Sequence, residues 1–111
     1  MAVGCLCLLG QTSQAAATAD GCARVGPTPD GFLNLRDGPG HHFAVRRRLS
    51  PGDRLDIDTA RCGPYRGRTV CNESGDWTHV VSVPRLDAGL RAYTQGWVRT
   101  SYILYRQCDG V

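Results

Sequence analysis

Apolar and polar residues in this chain alternate over short stretches, and no stretch keeps a helical period for long. In residues 32–36, Phe32, Leu33 and Leu35 are interleaved with Asn34 and Arg36, so the leucines can face a core while Asn34 and Arg36 face water or a ligand. Residues 54–58 alternate in the same way, with Leu55 and Ile57 on one face. The clearest run is 77–83, where Trp77, His79, Val81 and Val83 share one face and Val80 takes the other. Shorter runs at 22–25, 44–49, 96–99 and 103–105 complete the set.

Glycine and proline punctuate these runs. Asp37, Gly38, Pro39 and Gly40 supply a turn in which either glycine can take positive φ. Ser50, Pro51, Gly52 and Asp53 predict a tight turn that pairs 44–49 with 54–58 as a hairpin. Residues 59–76, with three Gly, one Pro and two Cys, are expected as a long loop. Residues 84–95 have room for a helical turn around 86–92, where Gly89 favours an irregular excursion. Five or six short strands without a long helix predict an all-β fold, a small barrel whose closure hides its sheet edges. Leu33, Leu35, Leu49, Leu55, Ile57, Val80, Val98 and Ile103 are the predicted core.

Residues 1–19 differ from the rest. A short apolar run at 2–9 is followed by polar residues and a small-residue tract, which resembles a secretory signal peptide, although no basic residue precedes the run. Ala15, Ala16 and Ala17, or Ala17, Thr18 and Ala19, offer the cleavage site, leaving residues 20–111 as one domain. Cys5 and Cys7 leave with the peptide. The remaining four cysteines, Cys22, Cys62, Cys71 and Cys108, suggest two disulfides in an exported, periplasmic or secreted domain. Four cysteines allow three connectivities, and chain geometry favours Cys22 with Cys108 and Cys62 with Cys71. In the chain-entropy model the long bridge is worth about 4–5 kcal/mol and the short one about 2–3 kcal/mol.

Composition narrows the function classes. The 111 residues allow one small domain, and 41% hydrophobic with 21% charged residues is ordinary for a globular protein. No segment offers the roughly 20 apolar residues of a membrane-spanning helix, so no integral membrane association is expected. All 13 basic residues are arginine, but a net charge of +3 is too small to imply nucleic acid. Without a C-x-x-C pair, and with His41, His42 and His79 outside any ligand spacing to the cysteines, neither a metal nor a cofactor is expected. His41 and His42 follow a glycine turn and are expected on the surface without a role. Neighbouring Arg46, Arg47 and Arg48 cannot all project from one face of a strand, which predicts a bulge or a solvated edge. No nucleophile is spaced with a base and Glu73 is the sole glutamate, so a catalytic role is not expected.

Two stretches are more specific. Residues 30–57, DGFLNLRDGPGHHFAVRRRLSPGDRLDI, together with DWTHV at 76–80 and GWVRTSYI at 96–103, resemble the bacterial Src-homology-3-like domain family. That family shows an L-N-V/L-R-x-G-P-G segment, a hydrophobic strand, a leucine with a G-D turn, then W-x-x-V and G-W-V-x-x-x-Y-L. The resemblance covers about residues 23–104, apart from long loops before Trp77 and Gly96, and implies a small five- to six-stranded barrel with its first and last strands side by side. Such an arrangement also supports the Cys22–Cys108 pairing.

Family members commonly sit beside peptidoglycan hydrolase domains and help target them to the wall, whereas this chain would be a stand-alone domain. Eukaryotic relatives bind proline-rich peptides on an aromatic floor, whose positions Trp77 and Tyr102 match. Arg99 stands where that groove carries a proline, which speaks against a proline-rich ligand. Asn34, Arg36 and Arg99 beside the aromatic residues suit a short peptide bearing carboxylates, such as a wall stem peptide. The expected partner is therefore peptidoglycan or an envelope protein, bound by a monomer without nucleic acid. An alternative is an inhibitor- or immunity-like module acting through the Cys62–Cys71 loop, with Tyr65, Arg66 and Arg68 as contact residues.

Overall fold

A computed structural model describes residues 19–65, 67–87 and 94–108, so the expected signal peptide at 1–19 lies almost wholly outside the described residues. The chain is mostly β. Its elements are β1 (Gly21–Val25), β2 (Leu33–Arg36), β3 (Val45–Leu49), β4 (Arg54–Asp58), β5 (Cys62–Tyr65), β6 (Arg68–Cys71) and β7 (Trp77–Ser82). There follow a single helical turn α1 (Pro84–Asp87), β8 (Gly96–Arg99), a 3-10 turn (Thr100–Tyr102) and β9 (Ile103–Arg106).

Seven strands form one antiparallel sheet in the order β3-β2-β8-β7-β4-β1-β9, and β5 and β6 form a separate hairpin. The described strands thus number nine rather than five or six. Among the described residues β3 and β9 are unjoined edges, so hydrogen bonding does not close the sheet into the expected barrel. The sheet nevertheless serves one core. Leu49 from one edge and Ile103 from the other belong to the same buried cluster as Leu35, Leu55, Ile57, Val80 and Val98. All eight residues of the predicted core are buried, because alternation directs them to the same side of their strands.

Three expectations about the chain's path are overturned. First, β3 and β4 are not a hairpin: β3 pairs with β2, and β4 lies between β7 and β1. The turn between them is held by β1 instead. Gly52 N–H donates to Val25 O at 2.7 Å and Val25 N–H to Asp53 O at 2.9 Å. Buried Asp53 accepts from Ser50 N–H at 2.8 Å and from Arg85 at 2.6 and 2.9 Å, which fixes the turn against α1. The chain is thereby handed to β1 rather than returned along β3.

Second, residues 59–76 are not a loop. Cys62, Gly63, Pro64 and Tyr65 pair with Cys71, Val70, Thr69 and Arg68, two residues form the tip, and Gly67 takes φ +76°. Third, Gly38 and Gly40 do not take positive φ. Gly38 is required for space, since a Cβ there would meet the Phe43 ring at 2.5 Å.

Two register shifts refine the strands. In β3, Leu35 pairs with Arg47 and Arg36 with Val45, so Arg46 is the extra residue of a bulge, as the triple arginine requires. In β7, Ile57 pairs with Val80 and Asp56 with Ser82, leaving Val81 extra. This shift changes the face parity, and Val83 joins Val80 in the main core instead of sharing a side with Trp77. The helical turn expected at 86–92 is found at its start, in α1; residues 88–93 lie outside the described residues. Asp87 accepts from Val83 N–H at 3.0 Å and from Thr94 Oγ1 at 2.6 Å, so it joins both sides of that excursion.

Both predicted disulfides are present, Cys22–Cys108 and Cys62–Cys71. The first ties β1 to the residues just after β9, its hydrogen-bonded neighbour. Among the described residues no helix is long and apolar enough to cross a membrane.

Candidate functional site

Four separate elements contribute to one cleft of about 210 Å³. β2 supplies Asn34 and Arg36 from its polar face, β7 supplies Trp77, β8 supplies Arg99 and the 3-10 turn supplies Tyr102. The five residues singled out as groove candidates are therefore brought together. The opposite wall is the segment between β1 and β2, with Thr28, Pro29, Asp30 and Phe32. That segment is anchored by Gly26 N–H donating to Tyr102 O at 2.8 Å.

Trp77 is fixed by its neighbours rather than by the cleft. Asn72 acts as a substitute strand partner: its side-chain oxygen accepts from Trp77 N–H at 3.0 Å and its amide donates back to Trp77 O. Only 6% of Trp77 stays exposed, and the His41 ring meets it edge-on at a centroid distance of 5.1 Å. Tyr102 is positioned by its turn. Thr100 N–H donates to Asp76 O at 2.8 Å, and the hydroxyls of Thr78 and Thr100 are 2.7 Å apart.

The arginines divide their work. Arg36 Nη1 donates to His41 O at 3.1 Å and to Phe43 O at 3.0 Å, so it holds the loop after β2 in place. Arg99 Nη1 lies 2.9 Å from His41 Nε2, and its guanidinium carbon is 5.9 Å from the Trp77 ring centroid. Arg48, cross-strand neighbour of Asn34, lies over the Phe32 ring at 4.4 Å. Asp30 is the one carboxylate among the lining residues. Aromatic surface and cationic donors with little opposing negative charge suit an anionic, partly apolar ligand.

Three lining residues carry buried side-chain atoms without a hydrogen-bond partner: Thr28 Oγ1, Asn34 Oδ1 and Arg99 Nε. Phe32, Thr28 and His41 were not expected at the site. Phe32 had a signal, because it directly precedes the alternating stretch that carries Asn34 and Arg36. His41 had none, since its place depends on a loop folding back over β8.

The hairpin lies on the other tryptophan. Val70 shares one buried cluster with Trp77 and the fully buried Trp97, and Phe43 packs against it. A Cβ on Gly63 would lie 3.4 Å from His79 Nδ1, so the hairpin backbone rests on that ring. His79 is 1% exposed, neither ring nitrogen has a hydrogen-bond partner, and Asp58 is 3.8 Å away. Burial pushes its pKa below the ordinary 6.5, opposed by the Asp58 carboxylate. Among the proposed contact residues of the hairpin, Arg68 is exposed on β6, whereas Arg66 and the Tyr65 side chain lie outside the described residues. Among the described residues no group of three His, Cys, Asp or Glu side chains is placed to hold a metal ion.

Comparison of the chain with protein-family models, with curated proteins and with solved structures finds no match in any of the three.

Proposed function

We propose that this protein is a non-catalytic, exported binding module that recognises a cell-envelope component, peptidoglycan or its stem peptides, through the cleft between β2, β8 and the 3-10 turn. The observation that carries the reading is the convergence of Asn34, Arg36, Trp77, Arg99 and Tyr102 from four elements on one concave surface. Membership of the bacterial Src-homology-3-like domains is part of the same reading. It is supported by the motifs at 30–57, 76–80 and 96–103 and by a sheet whose two edges feed one core. Export is supported by the two disulfides, which persist in oxidising compartments. A binding role is favoured over catalysis because His41 Nε2 is engaged by Arg99 rather than by a hydroxyl or thiol.

The test is sedimentation of the oxidised protein with purified wall sacculi. Half-buried Tyr102 can be truncated with less damage than Trp77, so Tyr102→Ala is the primary variant and Trp77→Ala the second. Circular dichroism verifies that each is folded. Binding weakened about tenfold supports the reading, and unchanged sedimentation of both variants removes the cleft from it.

The separate β5–β6 hairpin favours a second reading, in which an envelope protein is captured inhibitor-fashion through this disulfide-closed element. On that reading Arg68→Glu abolishes capture of the partner and leaves sacculus sedimentation unchanged.

A further inference from the structure

The cleft's donors and acceptors differ in kind, and that difference selects among anions. Arg99 has one guanidinium nitrogen committed to His41, while its Nε makes no hydrogen bond. The Nε edge of a guanidinium is a planar fork that matches a carboxylate with two parallel hydrogen bonds. Arg36, whose Nη1 donates to the carbonyls of His41 and Phe43, has no such buried, unpartnered nitrogen. The oxygens of Asn34 and Thr28, on opposite walls of the same cleft, lack partners, and the Asn34 oxygen is purely an acceptor. A ligand that satisfies it must bring a donor. Sulfate has none and phosphate only an O–H on the anion itself, whereas a peptide carries an N–H beside its terminal carboxylate.

Size adds a second restriction. At about 210 Å³ the cleft falls below the roughly 300–1,000 Å³ of ordinary small-molecule sites. Its Trp77, Tyr102 and Phe32 surfaces accept apolar groups, but the space admits only a short stretch with small side chains. Both Asn34 Oδ1 and Arg99 Nε are screened from solvent. Rotation of the Asn34 amide and a small swing of Arg99 are the movements that present them to a ligand.

The geometry points to a site for the free C-terminal end of a short peptide with small final side chains: Arg99 takes the terminal carboxylate, Asn34 accepts the last peptide N–H, and the aromatic residues cover the small side chains. This inference rests on the proposed binding role of the cleft and specifies which part of the ligand it reads.

The experiment uses intrinsic fluorescence of the oxidised protein, in which Trp77 lines the cleft and Trp97 is enclosed. The probes are acetyl-trialanine as the free acid, the same peptide as its C-terminal amide, and inorganic phosphate. The free acid is expected to bind at least tenfold more tightly than the amide, and phosphate is expected not to displace it. Arg99→Gln erases the acid-over-amide preference, and Asn34→Leu, near-isosteric, weakens the acid several-fold, with both variants folded by near-ultraviolet circular dichroism. Equal binding of acid and amide, no binding of the acid at millimolar concentration, or displacement by phosphate overturns the inference. Sacculus sedimentation of the unaltered protein, run in parallel, separates the two failures. Retained sedimentation leaves the wall-binding role standing without the C-terminal end, and its loss removes that role as well.

Discussion

Arg99 and His41, 58 residues apart in the chain, meet at 2.9 Å between a guanidinium nitrogen and the imidazole Nε2. A guanidinium can only donate, so in this hydrogen bond Nε2 is the acceptor. This contact, together with the edge-on packing of His41 against Trp77, fixes the loop after β2 over the cleft.

Because His41 is exposed, its replacement acts on the cleft more than on the fold. His41→Ala is expected to change stability by no more than about 0.5 kcal/mol. It releases Arg99 and weakens sacculus binding about two- to fivefold. Urea titration beside sedimentation measures both quantities, and a large stability loss with unaltered binding is the contrary result.

The turn clasp is structural. Asp53→Ala leaves Ser50 N–H without its acceptor and removes both contacts to Arg85. A loss of about 1–3 kcal/mol is expected by denaturant titration. Arg85 is largely exposed, so Arg85→Ala should cost clearly less than Asp53→Ala; equal losses would place the whole effect in the ion pair.

Stability should fall with pH in two stages. His79 holds its proton less tightly when folded, since burial lowers its pKa from 6.5. The unfolded chain therefore binds the extra proton, and stability declines as pH drops below about 6.5. Asp53, lowered from 3.8 chiefly by its hydrogen bond with Arg85, contributes stability above that value and loses it as pH falls further. Since both nitrogens of His79 lack partners, His79→Phe is expected to be neutral or mildly stabilising and to abolish the first stage. A urea midpoint that stays flat from neutral pH to 5 in the unaltered protein contradicts this account.

Gly96 is a packing requirement. A Cβ there would sit 2.6 Å from Arg36 O and 2.8 Å from a Leu35 side-chain carbon, in the middle of the β2–β8 contact. Gly96→Ala must push β8 away from β2, which carries the cleft residues Asn34 and Arg36. Expected are a loss of about 1–3 kcal/mol and weakened sacculus binding in the same variant.

The Cys22–Cys108 bridge spans 86 residues and joins chain ends that β1 and β9 already bring together. Replacing both cysteines with serine is expected to cost about 3–5 kcal/mol, chiefly by freeing the unfolded chain. The remaining folded population should bind sacculi normally, because the cleft draws on neither cysteine.

Much of this was legible from spacing. Alternation at 32–36 and 54–58 assigned Leu33, Leu35, Leu55 and Ile57 to the core, and a strand has only two faces to choose between. It also separated Asn34 and Arg36 from those leucines, which put two cleft residues on the correct side. The hairpin at 62–71 was hidden because Gly63, Pro64 and Gly67 read as loop composition. Its signal was positional: Cys62 and Cys71 stand at equal distances from a two-residue tip.

Local pattern thus settled which residues form strands, which side of each strand is apolar and where turns fall, because those depend on neighbours a few positions apart. Which strands pair, and which donors are already spent, depends on contacts between distant segments. Val25 captures the turn at Gly52 and Asp53 and diverts β4 from β3; Arg36, a lining residue of the cleft, also supports the loop after β2; His41 moves from bare surface to the partner of Arg99. Each of these outcomes is a competition among hydrogen-bond partners brought together by packing, and a one-dimensional pattern does not record who those competitors are.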